Sequence, residues 1–141
     1  MSSTGSETAP TLFQGIATLE LLRSLRVGGQ KVQEVCDLVL QGTGKVEPKL
    51  HAFASLEPKL VLEAAQALDT FRLSGRPVGP LHGLPIVLSD LIETKEQPTT
   101  NGTKIDTAKQ GSKDSAVAER LKASGAVLLG KTRVSELGVV T

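Results

Sequence analysis

The stretch that decides the fold runs from residue 114 to residue 132 and reads DSAVAERLKASGAVLLGKT. Its first half has the composition of a helix, and either Asp114 or Ser115 is a suitable residue to cap the first turn. Gly125 allows the chain to leave that helix and reverse its direction. The apolar run that follows, residues 126–129, is typical of a buried strand. The stretch therefore predicts a helix, a glycine stop and a strand.

A second apolar run, LPIVL at residues 84–88, lies upstream and is again typical of a buried strand. Two strands joined by a helix form an α/β unit, in which the strands lie parallel in one sheet. We therefore expect residues 84–88 and 126–129 to be neighbours in a sheet. The connecting helix should direct Val117 and Leu121 towards that sheet.

The letters GAVLLGKT, residues 125–132, also match the pattern of a phosphate-binding loop. Such a loop is a flexible turn between a strand and a helix, and its backbone N–H groups converge on phosphate oxygens. Here the four middle residues favour a strand, and the element before them is a helix. The pattern stands in the wrong structural context, so we do not expect the chain to bind a nucleotide.

The chain as a whole divides into a short polar tail and one domain. Residues 1–14 are expected to form a disordered tail, and residues 15–141 the domain. Gly42 is expected to end the second helix of that domain. Predicted helices cover residues 19–26, 31–41 and 58–75, a predicted strand covers 51–56, residues 93–111 form a loop with at most one short strand, and residues 134–137 open another helix.

Composition excludes several classes of function. The 141 residues carry 16 basic and 15 acidic side chains, so the net charge is +1 and there is no electrostatic footprint for nucleic acid or an acidic membrane. The single cysteine, Cys36, excludes an internal disulfide, and its place on an apolar helical stripe predicts a buried thiol. The two histidines lack partner ligands at metal-binding spacing. We expect no metal, no cofactor, no membrane segment and a cytoplasmic location.

Two longer stretches are similar to successive segments of the amidase signature family. They are GPLHGLPIVLSDLIETKEQPTTNGT at residues 79–103 and DSAVAERLKASGAVLLGKTRVSEL at residues 114–137. Members of that family typically show a stretch close to GPLHGIPIAVKDNIDVKGLPTTAGS, followed by a helix and a strand that ends in GAVLLGKT. The resemblance implies an α/β fold class, namely the incomplete N-terminal part of an α/β/α sandwich with a mixed sheet. It also identifies residues 15–141 as the N-terminal portion of an amidase domain.

The resemblance implies hydrolysis of carboxylic amides, or transfer of ammonia between amides. In the family a serine nucleophile is activated through a second serine with a cis peptide bond, which is hydrogen-bonded to a lysine. The nucleophile needs a base because a serine hydroxyl is weakly reactive while it keeps its proton. The lysine has to be neutral to take up that proton, which is the Ser–Lys variant of the catalytic triad. Donors from a glycine-rich loop then stabilise the tetrahedral intermediate.

Two departures from the family pattern bear on activity. Ser89 stands where the family has the lysine of a Lys–Asp pair, and Asp90 follows it. A hydroxyl cannot replace the base because its proton affinity at neutral pH is too low. Lys95 matches a position outside the family's site. The Gly-Ser-rich segment that carries both family serines is also absent from the 141 residues, so we expect no intact catalytic residue.

We therefore expect a truncated, amidase-like pseudoenzyme that is inactive alone. Parallel strands need both faces covered and both edges paired, so we expect a protein partner that completes the sheet. Two alternatives remain, a non-catalytic binding or assembly module and one half of a split amidase.

Other residues carry expectations of their own. Thr99, Thr100 and Gly102 match the family's turn beside the substrate cleft and are the candidate cleft residues. His82 and Asp90 are expected to serve local loop structure. Lys131, at the end of the last predicted strand, is expected to be solvated.

Overall fold

The computed structural model of the chain describes residues 17–104 and 109–139. The tail predicted at residues 1–14 lies outside the described residues. The described residues form four α-helices, five strands and one 3-10 turn. In chain order these are α1 (Thr18–Val27), α2 (Val32–Leu50), β1 (Phe53–Leu56), α3 (Pro58–Leu73), β2 (Pro85–Ser89), β3 (Pro98–Thr99), β4 (Lys109–Gln110), α4 (Ala116–Ala123), β5 (Val127–Thr132) and the 3-10 turn Glu136–Gly138.

Three of these strands form a mixed sheet in the order β1–β5–β2. The central strand β5 pairs in parallel with β2 and antiparallel with β1. The parallel register runs from Pro85 opposite Val127 to Ser89 opposite Thr132, with an irregularity that leaves Leu129 without a partner in β2. The predicted adjacency of the two apolar runs is therefore confirmed, and the fold is α/β with a small mixed sheet.

The core fills the space between the first three helices and β5. Burial of one such Val or Leu side chain stabilises the fold by about 1.5–3 kcal/mol. Cys36 is fully buried, and burial raises the pKa of its thiol to about 12, so the prediction of a buried thiol is confirmed. The buried cluster consists of Leu21, Leu25, Val32, Val35, Cys36, Val61, Ala65, Val127 and Leu129.

Helix α2 is longer than predicted. It continues through Gly42 and Gly44 to Leu50 and carries Pro48 in its last turn, so the prediction that Gly42 ends it is wrong. A Cβ added to either glycine would meet nothing within 4 Å, so no close contact requires glycine there. The packing of the buried first half of the helix offsets the roughly 1 kcal/mol that each glycine costs in a helix interior.

Helix α4 begins at the predicted cap but presents a different face. The Ser115 hydroxyl accepts a hydrogen bond from the Ala118 N–H at 3.3 Å. Ala118 is buried, whereas Val117 is 51% exposed, so the prediction that Val117 packs on the sheet is wrong. The cap fixes the rotational phase of this short helix, and that phase turns Ala118 inwards.

Two segments predicted as loop and as helix also differ. The loop predicted at residues 93–111 contains β3 and β4, which pair antiparallel with Pro98 opposite Gln110. It therefore holds one strand more than expected. The residues predicted to open a helix after β5 form only the short 3-10 turn.

Two further observations concern residues 17–104 and 109–139. No helix within these ranges is both long enough and apolar enough to cross a membrane. Nor do these residues bring together three or more His, Cys, Asp or Glu side chains in a group that could hold a metal ion.

Candidate functional site

The candidate site lies at the carboxyl ends of β2 and β5. Because these strands are parallel, both end at the same edge of the sheet, where Ser89 is paired with Thr132. In open α/β sheets, ligands bind in the crevice beyond the carboxyl ends of the strands. The chain that follows β2 returns to this edge and places the turn at residues 98–103 against it.

Ser89 is half-buried and closes β2. Its hydroxyl oxygen accepts a hydrogen bond from the Leu91 N–H at 3.3 Å, and its backbone carbonyl accepts one from the Ile92 N–H at 2.9 Å. The serine therefore stabilises the turn that leaves the strand. This is a structural contact of a hydroxyl at a strand end, and it provides no basic nitrogen.

Asp90 is the centre of the hydrogen bonds that hold the turn. Its carboxylate is 1% exposed and accepts from the Thr100 N–H at 3.1 Å and from the Gly102 N–H at 3.4 Å. The Thr100 hydroxyl donates to the same carboxylate. The backbone of Asp90 adds two bonds, since its N–H donates to the Thr132 carbonyl and its carbonyl accepts from Asn101. Asp90 thus has the structural contacts that the sequence predicted.

The turn itself brings the three candidate cleft residues together. Thr99 and Thr100 lie side by side, and Gly102 follows with a φ of +70°. A Cβ added to Gly102 would lie 2.6 Å from the carbonyl oxygens of Val134 and Ser135. Glycine is therefore required at this position by its conformation and by the close approach of the chain that follows β5.

Lys131 is the residue of this site that sequence reasoning missed. Its side chain is 0% exposed, so the prediction of a solvated lysine is wrong. Nζ donates to Thr99 Oγ1 at 2.9 Å and lies 3.9 Å from Asp90 Oδ1. Burial lowers the pKa of the amine, while Asp90 and Glu93 oppose that shift. The register of β5 is irregular at Leu129, which has no partner in β2, so a regular two-residue period along the strand does not predict the burial of Lys131.

The register of the sheet separates Lys131 from Ser89. Lys131 is paired with Leu88, and Thr132 is paired with Ser89. Paired residues share a face of a sheet, and successive residues alternate between faces. The side chains of Lys131 and Ser89 therefore leave the sheet on opposite faces.

His82 and Lys95 lie elsewhere. His82 is buried in the loop before β2, where the neighbouring Gly83 N–H donates to the Gly125 carbonyl at 2.8 Å. A Cβ on Gly125, which has a φ of +90°, would lie 2.9 Å from His82 Cα, so this close packing requires glycine. Lys95 is exposed, and its backbone N–H donates to the Asp114 carboxylate just before α4.

Comparison with known proteins gives a consistent result. A family model described as Amidase matches residues 34–141. A glutamyl-tRNA(Gln) amidotransferase subunit of Salinispora arenicola is 35% identical over 129 residues, which cover 92% of this chain and 26% of that protein. The corresponding protein of Chloroflexus aurantiacus is 38% identical over 116 residues, which cover 82% of this chain and 24% of that protein.

Solved structures agree with these sequence matches. The peptide amidase from Stenotrophomonas maltophilia has a TM-score of 0.79 at 30% identity, covering 92% of this chain and 26% of that enzyme. The chain spans about a quarter of the length of the relatives that it matches. Both stretches that carry the sequence resemblance, residues 79–103 and 114–137, fall within the range of the family match. The chain therefore belongs to the amidase signature family.

Proposed function

We propose that this chain is an amidase-type polypeptide that does not hydrolyse amides by itself and forms an amidase-like domain together with further polypeptide. The observation that carries the proposal is the position and hydrogen bonding of Ser89. Its hydroxyl accepts a hydrogen bond from the Leu91 N–H at the strand end where the resemblance places the family's lysine. A hydroxyl does not take up a proton at neutral pH, so the base of the Ser–Lys mechanism is missing there.

The buried Lys131 does not replace that base. Its amine is engaged by the Thr99 hydroxyl and lies beside the Asp90 carboxylate. It also leaves the sheet on the face opposite to Ser89, as the register of β2 and β5 requires. A lowered pKa alone does not make a base of an amine that is aimed away from the reacting group.

The nucleophile has to come from further polypeptide, whether continuous with this chain or separate from it. The 141 residues contain no Gly-Ser-rich run of the kind that carries the family's serines. The proteins that this chain is similar to include a peptide amidase and an amidotransferase component. We therefore assign the completed domain to the class that acts on the C–N bond of a carboxylic amide.

Two open surfaces support a polypeptide partner. Among the described residues, β2 is an outer strand of the sheet, and Val87 in its middle is 45% exposed. A groove of about 380 Å³ lies between α3 and β5, and its apolar lining includes Leu60, Ala67 and Leu128. We call it the α3–β5 groove. Outer strands and apolar grooves are places where further chain adds to a fold.

We infer that the occupant of both surfaces is the rest of an amidase-signature domain. The chain covers about a quarter of its relatives, so most of such a domain is contributed by residues that this chain does not contain. A strand added to β2 would pair the outer edge, and apolar side chains would fill the α3–β5 groove.

An amide-hydrolysis assay with a restored lysine tests the proposal. The chain and its Ser89→Lys variant are each mixed with the separately produced C-terminal part of an amidase-signature relative. We expect turnover only from the Ser89→Lys variant in the presence of the C-terminal part, because base and nucleophile are then both present. A Ser89→Met variant, with a side chain of similar reach but no amine, is the matched control and should stay inactive.

Two outcomes would change the conclusion. Turnover by the unmodified chain, alone or with the C-terminal part, would show that Ser89 does not prevent activity. A stable complex in which no variant turns over amides would favour the alternative, a non-catalytic assembly module.

A further inference from the structure

We propose that Lys131 is a positioning residue: its buried amine, acting with Asp90, holds the turn Thr99–Gly102 in place at the end of β2 and β5. The proposal rests on the proposed function only where it places this turn beside a substrate cleft, and the contacts that support it do not depend on activity. Nothing in the family resemblance assigns a role to this lysine.

The first observation is that Lys131 and Asp90 together form hydrogen bonds with three residues of one turn. The Lys131 amine donates to Thr99 Oγ1 at 2.9 Å. The Asp90 carboxylate accepts from the backbone N–H groups of Thr100 and Gly102 and from the Thr100 hydroxyl. The amine and the carboxylate are 3.9 Å apart, so the cation and the anion act on neighbouring atoms of the same turn.

The second observation is that both charges are removed from water. The Lys131 side chain is 0% exposed and that of Asp90 is 1% exposed. An ionised carboxylate at such a depth needs a cation and hydrogen bonds to remain charged. When the amine loses its charge, the buried carboxylate is left without a compensating cation.

The third observation is that the turn packs closely against the chain that follows β5. Gly102 lies so close to the Val134 and Ser135 carbonyls that a Cβ would sit 2.6 Å from them. The Leu137 N–H donates to the Asn101 carbonyl at 2.8 Å. If the Lys131–Asp90 pair were lost and the turn moved, the segment that follows β5 would therefore move with it.

Among the described residues, two carboxylates act on the Lys131 amine. Asp90 follows β2, and Glu93 lies in the next loop, and both favour the protonated amine against the effect of burial. Burial has the larger effect, so the pKa of the amine lies below the usual lysine value of 10.5. A turn held by this charge should respond to pH in the same range.

The experiment is NMR spectroscopy of the full chain, in the assembly in which it purifies. It follows the methyl signals of Thr99 and Thr100 and the amide signal of Gly102 in Lys131→Met and Lys131→Arg. The matched control is Lys122→Met, because Lys122 is also a partly buried lysine, paired with Asp114 and Glu96 at α4 instead of with the turn.

We expect Lys131→Met to shift all three signals and Lys131→Arg, which keeps a charge and N–H donors, to restore them towards their wild-type positions. Lys122→Met should leave them in place. In the wild type the two threonine methyl signals should titrate together with the Lys131 side chain below pH 10.5, and in Lys131→Arg they should not titrate there.

Unmoved turn signals in Lys131→Met, or equal shifts in Lys122→Met, would overturn the proposal. If Lys131→Met does not fold, the comparison of wild type with Lys131→Arg decides, and methyl signals that do not follow the amine in the wild type would overturn it. Amide turnover enters none of these readouts, so failure of the proposed function is recognised separately.

Discussion

At the scale of the single residue, His82 links stability to pH. It is 1% exposed, and its Nε2 has no hydrogen-bond partner among the described residues. Burial lowers the pKa of His82 below 6.5; Asp69 opposes this shift, and Arg72 and Arg26 add to it. The unfolded chain therefore takes up a proton near pH 6.5, whereas the folded chain does so only at lower pH. The contribution of neutral His82 to stability is complete above pH 6.5 and is lost as the pH falls below it.

We predict that the free energy of unfolding falls more steeply from about pH 7 to about pH 5 in the wild type than in His82→Gln. Denaturant titrations at several pH values measure this slope. His51→Asn is the control, because His51 is the exposed second histidine and asparagine tolerates its φ of 49°. Equal slopes for the wild type and His82→Gln would show that this buried imidazole does not sense pH.

The sequence alone could show that serine stands at position 89 in place of the family's lysine. It could not show that Lys131 and Asp90 form a buried ion pair nearby. Ser89 ends an apolar run, so its strand-end hydroxyl follows from local pattern. Lysine is rarely fully buried, so the residue type alone predicts an exposed side chain at position 131. Only the register of β5 against β2 brings Lys131 beside its counterion Asp90, and register is not a local property.

At the scale of the element, Asp69 connects the end of α3 to the start of α2. Its Oδ1 accepts from the Val32 N–H at 2.9 Å and its Oδ2 from the Gln33 N–H at 3.0 Å. Lys31, which precedes the helix, provides no side-chain cap. A carboxylate from another helix thus satisfies the first donors of α2 and faces the positive end of its dipole.

We predict that Asp69→Ala lowers the free energy of unfolding by about 1–2 kcal/mol, because two N–H groups at a helix start lose their acceptor. Asp37→Ala is the control: it removes an exposed carboxylate of α2 that accepts only from Gln41 in the described structure, and it should cost less than about 0.5 kcal/mol. Chemical denaturation measures both. Similar losses in the two variants would mean that Asp69 contributes no specific cap.

Elements with local signals were predictable, and elements stabilised from a distance were not. The signals at Ser115, at Gly125 and in the apolar run after it fall within one short stretch of sequence, and the predicted order of helix, glycine stop and strand is confirmed. The length of α2 was underestimated because Gly42 is a local stop signal. The contacts that stabilise the longer helix are tertiary, and they include the cap that Asp69 supplies from 37 positions away.

At the scale of the whole molecule, the α3–β5 groove is the surface on which a completing polypeptide should depend. We predict that Ala67→Glu, which places a charge in the groove, weakens the binding of the C-terminal part of an amidase-signature relative by about tenfold or more. Ala123→Glu adds the same charge at an exposed position of α4 outside the groove and should bind as the wild type does. Calorimetry measures both affinities, and equal affinities would exclude the groove from the interface.

The most direct measurement is intact-mass analysis of the purified 141-residue chain after incubation with a fluorophosphonate probe, beside an active amidase-signature relative. Ser89 holds its hydroxyl as an acceptor for Leu91, and the buried Lys131 amine lies on the other face of the sheet. We predict that the relative gains one probe and that the mass of this chain does not change. A covalent adduct on any serine of the chain would contradict the claim that it has no activated nucleophile of its own.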